Sequence, residues 1–322
     1  MSTWILLIFL IFDELGKKFA KWFAKRKKIC YTVGNPKSRK ETIIMKIGFI
    51  DYYLDEWHAN NYPKFLADAS NGEITIGSAY GEIASPITGV TSEQWCEKYG
   101  IRHAASIEQV IEENDCLVVL SPDTPEQHPH LCQLPLSSGK RTYVDKTFAT
   151  SKKIAEEIFA VAEAHNTPCF SSSALRFSNE IKSAEKAGID FIGSRGPGEF
   201  SNYGIHQVEP IVTLMGADVR RIMSIGTPAT PGLLIDYKDG RRATMNNWGW
   251  GHGAFNFCIK YNDGKVANIA DCSDYFANFI VDLVDFFRTG DVKVSHAETI
   301  AIMGILEKGR LAMDDPDHWY DI

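Results

Sequence analysis

The sequence predicts an α/β protein, with an N-terminal Rossmann-like parallel-sheet domain followed by an α+β domain that has a mostly antiparallel open sheet. Residues 45–150 alternate short apolar runs with helical patterns, as in a parallel sheet joined by right-handed crossovers. Residues 116–120 (CLVVL) form the continuous apolar run of a strand covered on both faces. Residues 187–271 instead carry strand-like runs with Asp-Gly turns at 239–240 and 263–264, which favour antiparallel hairpins.

Apolar periodicity places the individual elements along the chain. Strands are predicted at 47–50, 73–79, 116–120, 142–144, 167–171, 218–227, 232–237, 243–248 and 254–261. Helices are predicted at 59–69, 92–99, 106–113, 126–134, 151–165, 275–288 and 296–308. We therefore divide the body of the chain into a nucleotide-binding domain over 45–150 and a substrate and oligomerisation domain over 151–322.

Charge and cysteine content exclude several classes of protein. Residues 1–44 carry ten Lys/Arg against three Asp/Glu, so residues 45–322 must carry a net charge of −14 to give the −7 of the whole chain. An acidic body argues against nucleic-acid binding, which needs a basic surface. The seven cysteines lie singly, without metal-ligand spacing, and are expected to be reduced, buried thiols in a cytoplasmic protein.

The N-terminal segment 1–44 does not conform to the rest of the chain. Its apolar run, 3–12, is too short to span a membrane, and the basic run 17–28 follows it, which is the reverse of a secretory signal. One interpretation is a peripheral membrane helix presenting Trp22 and Phe23. The interpretation we favour is that translation starts at Met45, directly before the first strand.

Four short motifs stand in a characteristic order. Val144-Asp145-Lys146-Thr147-Phe148-Ala149 follows a strand, and Asn202-Tyr203-Gly204-Ile205-His206 comes later. Ser121-Pro122, followed by His128, ends the fourth strand, and Arg176-Phe177 follows the strand predicted at 167–171. Together these motifs resemble the glucose–fructose oxidoreductase and inositol dehydrogenase (Gfo/Idh/MocA) family over about residues 46–308. The resemblance implies an NAD(P)-dependent oxidoreductase that acts on a CH–OH group of a sugar, polyol or related compound.

The resemblance also implies roles for single residues. Lys146 would contact the substrate hydroxyl and the nicotinamide, and His206 would take the hydroxyl proton. Asn202, one helical turn before His206, stands where the family has Asp, so we expect His206 either to be a weaker base or to serve in binding rather than in proton transfer. Asp145 stands in place of the family's Glu, and Thr147 in place of a proline that would support unusual peptide geometry. Ser121 and Pro122, with Asp145, are expected at the cofactor, and Arg176 at the substrate. Asp145 would orient a neighbouring loop there or else only stabilise the turn.

The stretch after the first strand departs from the family. Residues 50–58 (IDYYLDEWH) contain no glycine where the family has Gly-x-Gly-x-x-Gly, and Asp51 takes the place of the first glycine. With Asp55 and Glu56, it puts three carboxylates in six residues, and such anions repel a pyrophosphate. Glu82, 31 residues beyond Asp51, is the candidate for a ribose diol or else a solvated loop carboxylate. We expect NAD or NADP in an altered pose, or a protein that has lost the cofactor.

Two aromatic segments have alternative interpretations. Trp57-His58, before the first helix, would close over a substrate or staple the helix start. Residues 246–252 (NNWGWGH) suit a carbohydrate face, but a subunit interface is slightly favoured. The acidic residues near His58 match no ligand spacing for a metal, so no metal site is predicted.

The leading functional hypothesis is the oxidoreductase, with a small, carbohydrate-like substrate. The alternative is a non-redox ligand-binding or regulatory protein, and a narrower third hypothesis is a lyase or glycosidase that keeps a tightly bound cofactor. The open antiparallel sheet indicates a homo-oligomer. No nucleic acid and, for residues 45–322, no membrane is expected as a partner.

Overall fold

The computed structural model describes residues 44–249 and 253–322. The hypotheses on the N-terminal segment therefore lie outside the described residues, apart from residue 44, and so does the part of the 246–252 segment from Trp250 to His252. In the described residues, no helix is long and apolar enough to cross a membrane.

The first sheet is parallel throughout, as predicted. Its six strands lie in the order β3-β2-β1-β4-β5-β6. They are β1 Met45–Asp51, β2 Ile74–Gly81, β3 Arg102–His103, β4 Cys116–Val119, β5 Thr142–Val144 and β6 Cys169–Phe170. All four residues of β4 are buried, which explains the uninterrupted apolar run. Because neighbouring parallel strands end at one edge, β1, β4 and β5 bring their carboxyl ends together.

Helices connect these strands and cover both faces of the sheet. They are α1 Trp57–Ser70, α2 Ser92–Tyr99, α3 Ile107–Glu113, α4 His128–Leu131, α5 Gln133–Ser137 and α6 Lys152–Ala164. The single helix predicted over 126–134 is wrong: a 3₁₀ turn at Pro125–Gln127 and the short helices α4 and α5 replace it. Pro125, Pro129 and Pro135 each lack an amide N–H, and three prolines within eleven residues favour short, separate turns over one continuous helix.

The second sheet is mostly antiparallel, with β7 and β10 as its parallel pair in the described residues. Its order is β12-β11-β7-β10-β9-β8-β13. The strands are β7 Ile189–Gly196, β8 Val219–Ser224, β9 Gly232–Tyr237, β10 Arg242–Asn247, β11 Asn256–Tyr261, β12 Val266–Ile269 and β13 Tyr320–Asp321. Gly240 and Gly264, with φ of +91° and +90°, close the β9–β10 and β11–β12 hairpins at the predicted Asp-Gly turns.

Four further helices pack the two sheets together: α7 Asn179–Ser183, α8 Phe200–Met215, α9 Tyr275–Thr289 and α10 His296–Asp314. Helix α8 packs against β7, β10 and α10, whereas α9 returns to the first sheet and packs against α1. The parallel sheet continues past residue 150 because helix α6 crosses over to β6 at 169–170. The two halves therefore share a continuous core around α6, α8 and α10, whereas α9 packs in a second core against the first sheet.

The expectation of buried thiols is correct for five of the described cysteines and wrong for Cys258. Cys258 lies on β11 and is exposed, because alternate residues of this strand point to the open face of the sheet.

Candidate active site

Four residues that the sequence predicts to be functional lie at the carboxyl edge of the parallel sheet. Asp51 ends β1, Ser121 follows β4, and Asp145 and Lys146 follow β5. The Lys146 side chain is 15% exposed, and its Nζ lies 4.0 Å from Oδ1 of Asp123. The Lys146–Thr147 peptide bond is cis, although Thr147 stands in place of a proline.

His128 fixes the loops on either side of this edge. Its imidazole is buried between two backbone carbonyls, with Nδ1 2.9 Å from the oxygen of Phe148 and Nε2 in contact with the oxygen of Leu120. The end of β4 and the segment after Lys146 are thus tied to the same ring. The Ser121-Pro122 turn between them is buried, and Ser121 has a φ of +74°.

A buried ion pair links the first helix to β5. Nδ1 of His58 lies 2.9 Å from Oδ2 of Asp145. Asp145 also accepts hydrogen bonds from the Tyr143 hydroxyl at 3.1 Å and from the Lys146 amide at 2.9 Å. Burial lowers the pKa of His58, but the Asp145 carboxylate more than offsets this, so the pKa of His58 is raised. In return, although burial raises the pKa of Asp145, His58 and Lys146 hold it below its ordinary value.

His206 lies on α8, close to this pair. Its Nδ1 is 2.7 Å from the Ser173 hydroxyl, and its ring packs edge-on against Tyr203 and Phe255. Burial and the positive charges of Lys146 and His58 lower the pKa of His206 to about 3. The imidazole is therefore neutral at physiological pH, as a weak base would be.

Arg176, which the sequence assigns to a substrate, is engaged by two carboxylates. Its Nη1 lies 3.2 Å from Oε1 of Glu209, and its Nη2 contacts Glu298. Glu209 also accepts hydrogen bonds from the Ser172 hydroxyl at 2.5 Å and the Ser173 amide at 2.6 Å. Arg176 is thus connected through Glu209 to the serine that holds His206.

Ser173 and Glu209 belong to the site but were not singled out in the sequence. Glu209 carries a recognisable signal, since it is the one acidic residue of the segment 200–215 and lies three positions after His206, and a buried charge requires a partner. Ser173 gives no such signal, because serine is common before a short turn.

Asn202 lies one turn before His206, but on the exposed first turn of α8. It lines a cleft of about 480 Å³ between the loop after β4, the segment after Lys146 and the end of α10. Polar side chains dominate the lining: Asp123, Thr147, Thr150, Ser201 and Arg310 share it with Asn202. Such a cleft, directly beside Lys146, has room for a hydroxylated small molecule.

The backbone amides at the start of α1, where this type of fold places a pyrophosphate, are already bonded to a side chain of the protein itself. Glu56 is the N-terminal cap of the helix, and its carboxyl group accepts the backbone amides of His58, at 2.7 Å, and of Ala59. Asp51 is 1% exposed, and burial raises its pKa well above the ordinary value. Leu54 fills the space in front of Gly81, at the end of β2. The residues present here do not fit a pyrophosphate in the usual pose.

The two remaining predicted contacts on this side are also engaged within the protein. Oε2 of Glu82 lies 2.6 Å from Nε2 of His130, in an exposed hydrogen bond. Trp57 packs between α1 and α9, with its ring centroid 5.4 Å from that of Phe276.

On the outer face of the second sheet, Arg195 lies 4.4 Å from the ring of Trp248, which is 42% exposed.

Comparison with solved structures supports the fold independently of the motifs. The myo-inositol 2-dehydrogenase of Lactobacillus plantarum has 14% identity and a TM-score of 0.70, over 87% of this chain and 99% of that chain. The scyllo-inositol dehydrogenase of Lactobacillus casei, solved with bound NAD(H) and scyllo-inositol, has 14% identity and a TM-score of 0.69, over 86% and 99%.

A third similar structure is that of GenD2 from gentamicin A biosynthesis, solved in complex with NAD, at 12% identity and a TM-score of 0.67, over 90% and 99%. No protein-family model and no curated protein sequence matches this chain at a significant level. The chain thus has the fold of the inositol dehydrogenases, and its resemblance to the Gfo/Idh/MocA family is confirmed at the level of the fold.

Proposed function

We propose that this protein is an oxidoreductase that removes hydride from a CH–OH group of a sugar, polyol or related compound and transfers it to NAD or NADP. The observation that carries the proposal is the convergence of Lys146 and neutral His206 at the carboxyl edge of the parallel sheet. Lys146 is close enough to His206 for its charge to lower the pKa of the imidazole, and we propose that both groups face the same substrate hydroxyl. The inositol dehydrogenases with the same fold make this class of substrate a natural choice.

Lys146 would supply the positive charge in this site. Its ammonium group stabilises the negative charge that develops on the substrate oxygen as the hydroxyl proton leaves. The side chain is 15% exposed, and partial removal from water strengthens this interaction. The Asp145–His58 pair fixes the backbone at Lys146, because Asp145 accepts the Lys146 amide as well as contacting His58.

His206 would accept the hydroxyl proton through Nε2. Its other ring nitrogen faces the Ser173 hydroxyl, which can either donate or accept and so allows the imidazole to change its protonation. The low pKa makes His206 a weak base, so proton transfer depends on Lys146 to acidify the hydroxyl. Asn202, in the adjoining cleft, would hydrogen-bond a second hydroxyl of the substrate.

A second candidate function is a ligand-binding protein without redox activity. The occupation of the α1 amides by Glu56 favours it, because those amides are the usual donors to a cofactor phosphate. Such a protein would still bind a hydroxylated molecule at Lys146 and the neighbouring cleft.

Calorimetric titration of the full-length protein with NADH and NADPH separates the two functions. Micromolar affinity for either nucleotide supports the oxidoreductase. Absence of binding by both the reduced and the oxidised nucleotides, with no cofactor retained from expression, supports the second candidate. Lys146→Met serves as a control, because loss of this lysine should weaken substrate binding without affecting contacts to the cofactor phosphates.

A further inference from the structure

We infer that Glu56 is an internal competitor of the cofactor: its carboxyl group holds the α1 amides that a dinucleotide phosphate would use, and it must leave them before a dinucleotide can bind in the pose usual for this fold. The inference rests on the proposed function for the identity of the ligand. The contact itself is a property of the structure.

The first step of the argument is the geometry of the cap. Helix α1 is 14 residues long, and Glu56 precedes it with extended backbone angles, φ −131° and ψ 172°. Helix caps are usually Ser, Thr, Asp or Asn, whose short side chains reach a single amide. The longer Glu56 side chain folds back over the helix end, so one carboxyl oxygen faces His58 N and the other Ala59 N. These two first-turn amides are the donors that a helix N-terminus offers to a bound anion.

The second step is the enclosure of Glu56. Its side chain is only 7% exposed, and Oε2 also lies 3.6 Å from Nδ1 of His58. Asp51 lies close enough to influence its pKa from the end of β1, and His58 faces it from the first turn of α1. A phosphate that used these two amides would therefore have to displace the Glu56 carboxyl group, whose oxygens already accept them.

The third step compares Glu56 with another carboxylate of the same loop. Asp55 accepts hydrogen bonds from the Asn60 side chain at 3.1 Å and from the Thr88 hydroxyl at 2.7 Å, whereas the first-turn backbone amides of His58 and Ala59 are bonded to Glu56. Both residues lie in the acidic segment, yet only Glu56 occupies the donors. This contrast separates competition for the amides from simple repulsion by negative charge.

The test compares three variants of the full-length protein with the wild type. Glu56→Gly frees both amides, and glycine is a tolerated helix cap. Glu56→Gln keeps an oxygen in place of the carboxylate, and Asp55→Asn removes a charge without freeing any amide. Dissociation constants for NADH and for inorganic pyrophosphate are measured by calorimetry, after circular dichroism has established that each variant is folded. Glu56→Ala replaces Glu56→Gly if the glycine variant does not fold.

We expect Glu56→Gly to bind NADH or pyrophosphate at least ~10-fold more tightly than the wild type, the equivalent of about 1.4 kcal/mol. Glu56→Gln and Asp55→Asn should stay within about threefold of the wild type. Equal affinities of Glu56→Gly and the wild type for both ligands would overturn the inference, as would an equal gain in Asp55→Asn. The proposed function is tested by the NADH titration of the wild type, whereas the role of Glu56 is tested by comparing the variants with the wild type. Failure of one can therefore be distinguished from failure of the other.

Discussion

Nδ1 of His58 and Oδ2 of Asp145 lie 2.9 Å apart and join the first turn of α1 to the end of β5. This contact couples the two ends of the candidate site. His58 donates its backbone amide to Glu56, at the phosphate end, whereas Asp145 accepts the amide of Lys146, at the reacting end. We therefore expect a substitution at one end of the site to alter the side-chain positions at the other end.

Asp145→Asn should abolish the pH-dependent part of this coupling. Because the pKa of His58 is raised in the folded protein, its pairing with Asp145 stabilises the fold fully below the unfolded histidine value, about pH 6.5, and loses this effect as the pH rises through the folded value. We expect Asp145→Asn to lose about 1 kcal/mol more of the free energy of unfolding at pH 6 than at pH 9. Urea unfolding at the two pH values measures this difference. An equal loss of the free energy of unfolding at pH 6 and at pH 9 would show that the His58–Asp145 pair does not titrate in this range.

The His206 imidazole should not titrate near neutrality. Burial, Lys146 and His58 lower its pKa to about 3, so histidine NMR resonances of His206 should stay constant from about pH 5 to pH 8. Lys146→Met removes one neighbouring positive charge and should raise the pKa of His206. Titration of His206 near pH 6.5 in the wild type would show that the ring is not enclosed with Lys146.

Glu209→Ala should strongly destabilise the protein. It leaves the buried Arg176 guanidinium with Glu298 alone and removes the acceptor of the Ser173 amide. Removing one partner of a buried ion pair costs about 3–5 kcal/mol. Chemical denaturation measures this cost against a matched control, Asp282→Asn, which breaks the more exposed Lys182–Asp282 pair and should cost less than about 1 kcal/mol. Similar costs for the two variants would contradict the central position of Glu209.

Glu56→Gln should change how stability depends on pH. Burial raises the pKa of Glu56 to about 8, with His58 and the α1 amides acting in the opposite direction. A carboxyl group with a raised pKa favours the folded state below its unfolded value, about pH 4.3, and loses that effect as the pH rises towards 8. Between pH 5 and pH 8, the wild type should therefore lose at least about 1 kcal/mol relative to Glu56→Gln. The free energy of unfolding is measured against pH for the wild type and for Glu56→Gln. Parallel curves for the two proteins would show that Glu56 ionises as an ordinary surface carboxyl group.

Much of the site could be predicted because it follows from strand topology. Once β1, β4 and β5 are recognised as neighbouring parallel strands, Asp51, Ser121 and Lys146 must meet at one edge. The local pattern also fixed the β9–β10 hairpin, through the glycine at 240. Helix α8 was harder to recognise, since it is buried on almost every side, with polar residues among the buried ones, and contains Gly204 and Pro210, which weaken a helical pattern.

The remaining features depend on partners distant in the sequence. Arg176 meets acidic residues 33 and 122 positions away, and no local pattern indicates these pairs. Glu56 was recognised only as one of several anions near a phosphate. Its burial and its bonds to the α1 amides depend on the folded loop. They show that Glu56 would compete with a phosphate for these amides, and not only repel it.

The most direct test of the oxidoreductase is turnover by the wild type and Lys146→Met. The full-length protein is incubated with NAD⁺ or NADP⁺ and a panel of inositols, aldoses and other polyols, and nicotinamide reduction is followed by absorbance. The proposal predicts reduction with at least one member of the panel, lowered at least ~100-fold by Lys146→Met at an unchanged melting temperature. Absence of reduction across the panel, by a wild-type protein that binds one of these compounds at Lys146, would contradict it and favour a ligand-binding protein.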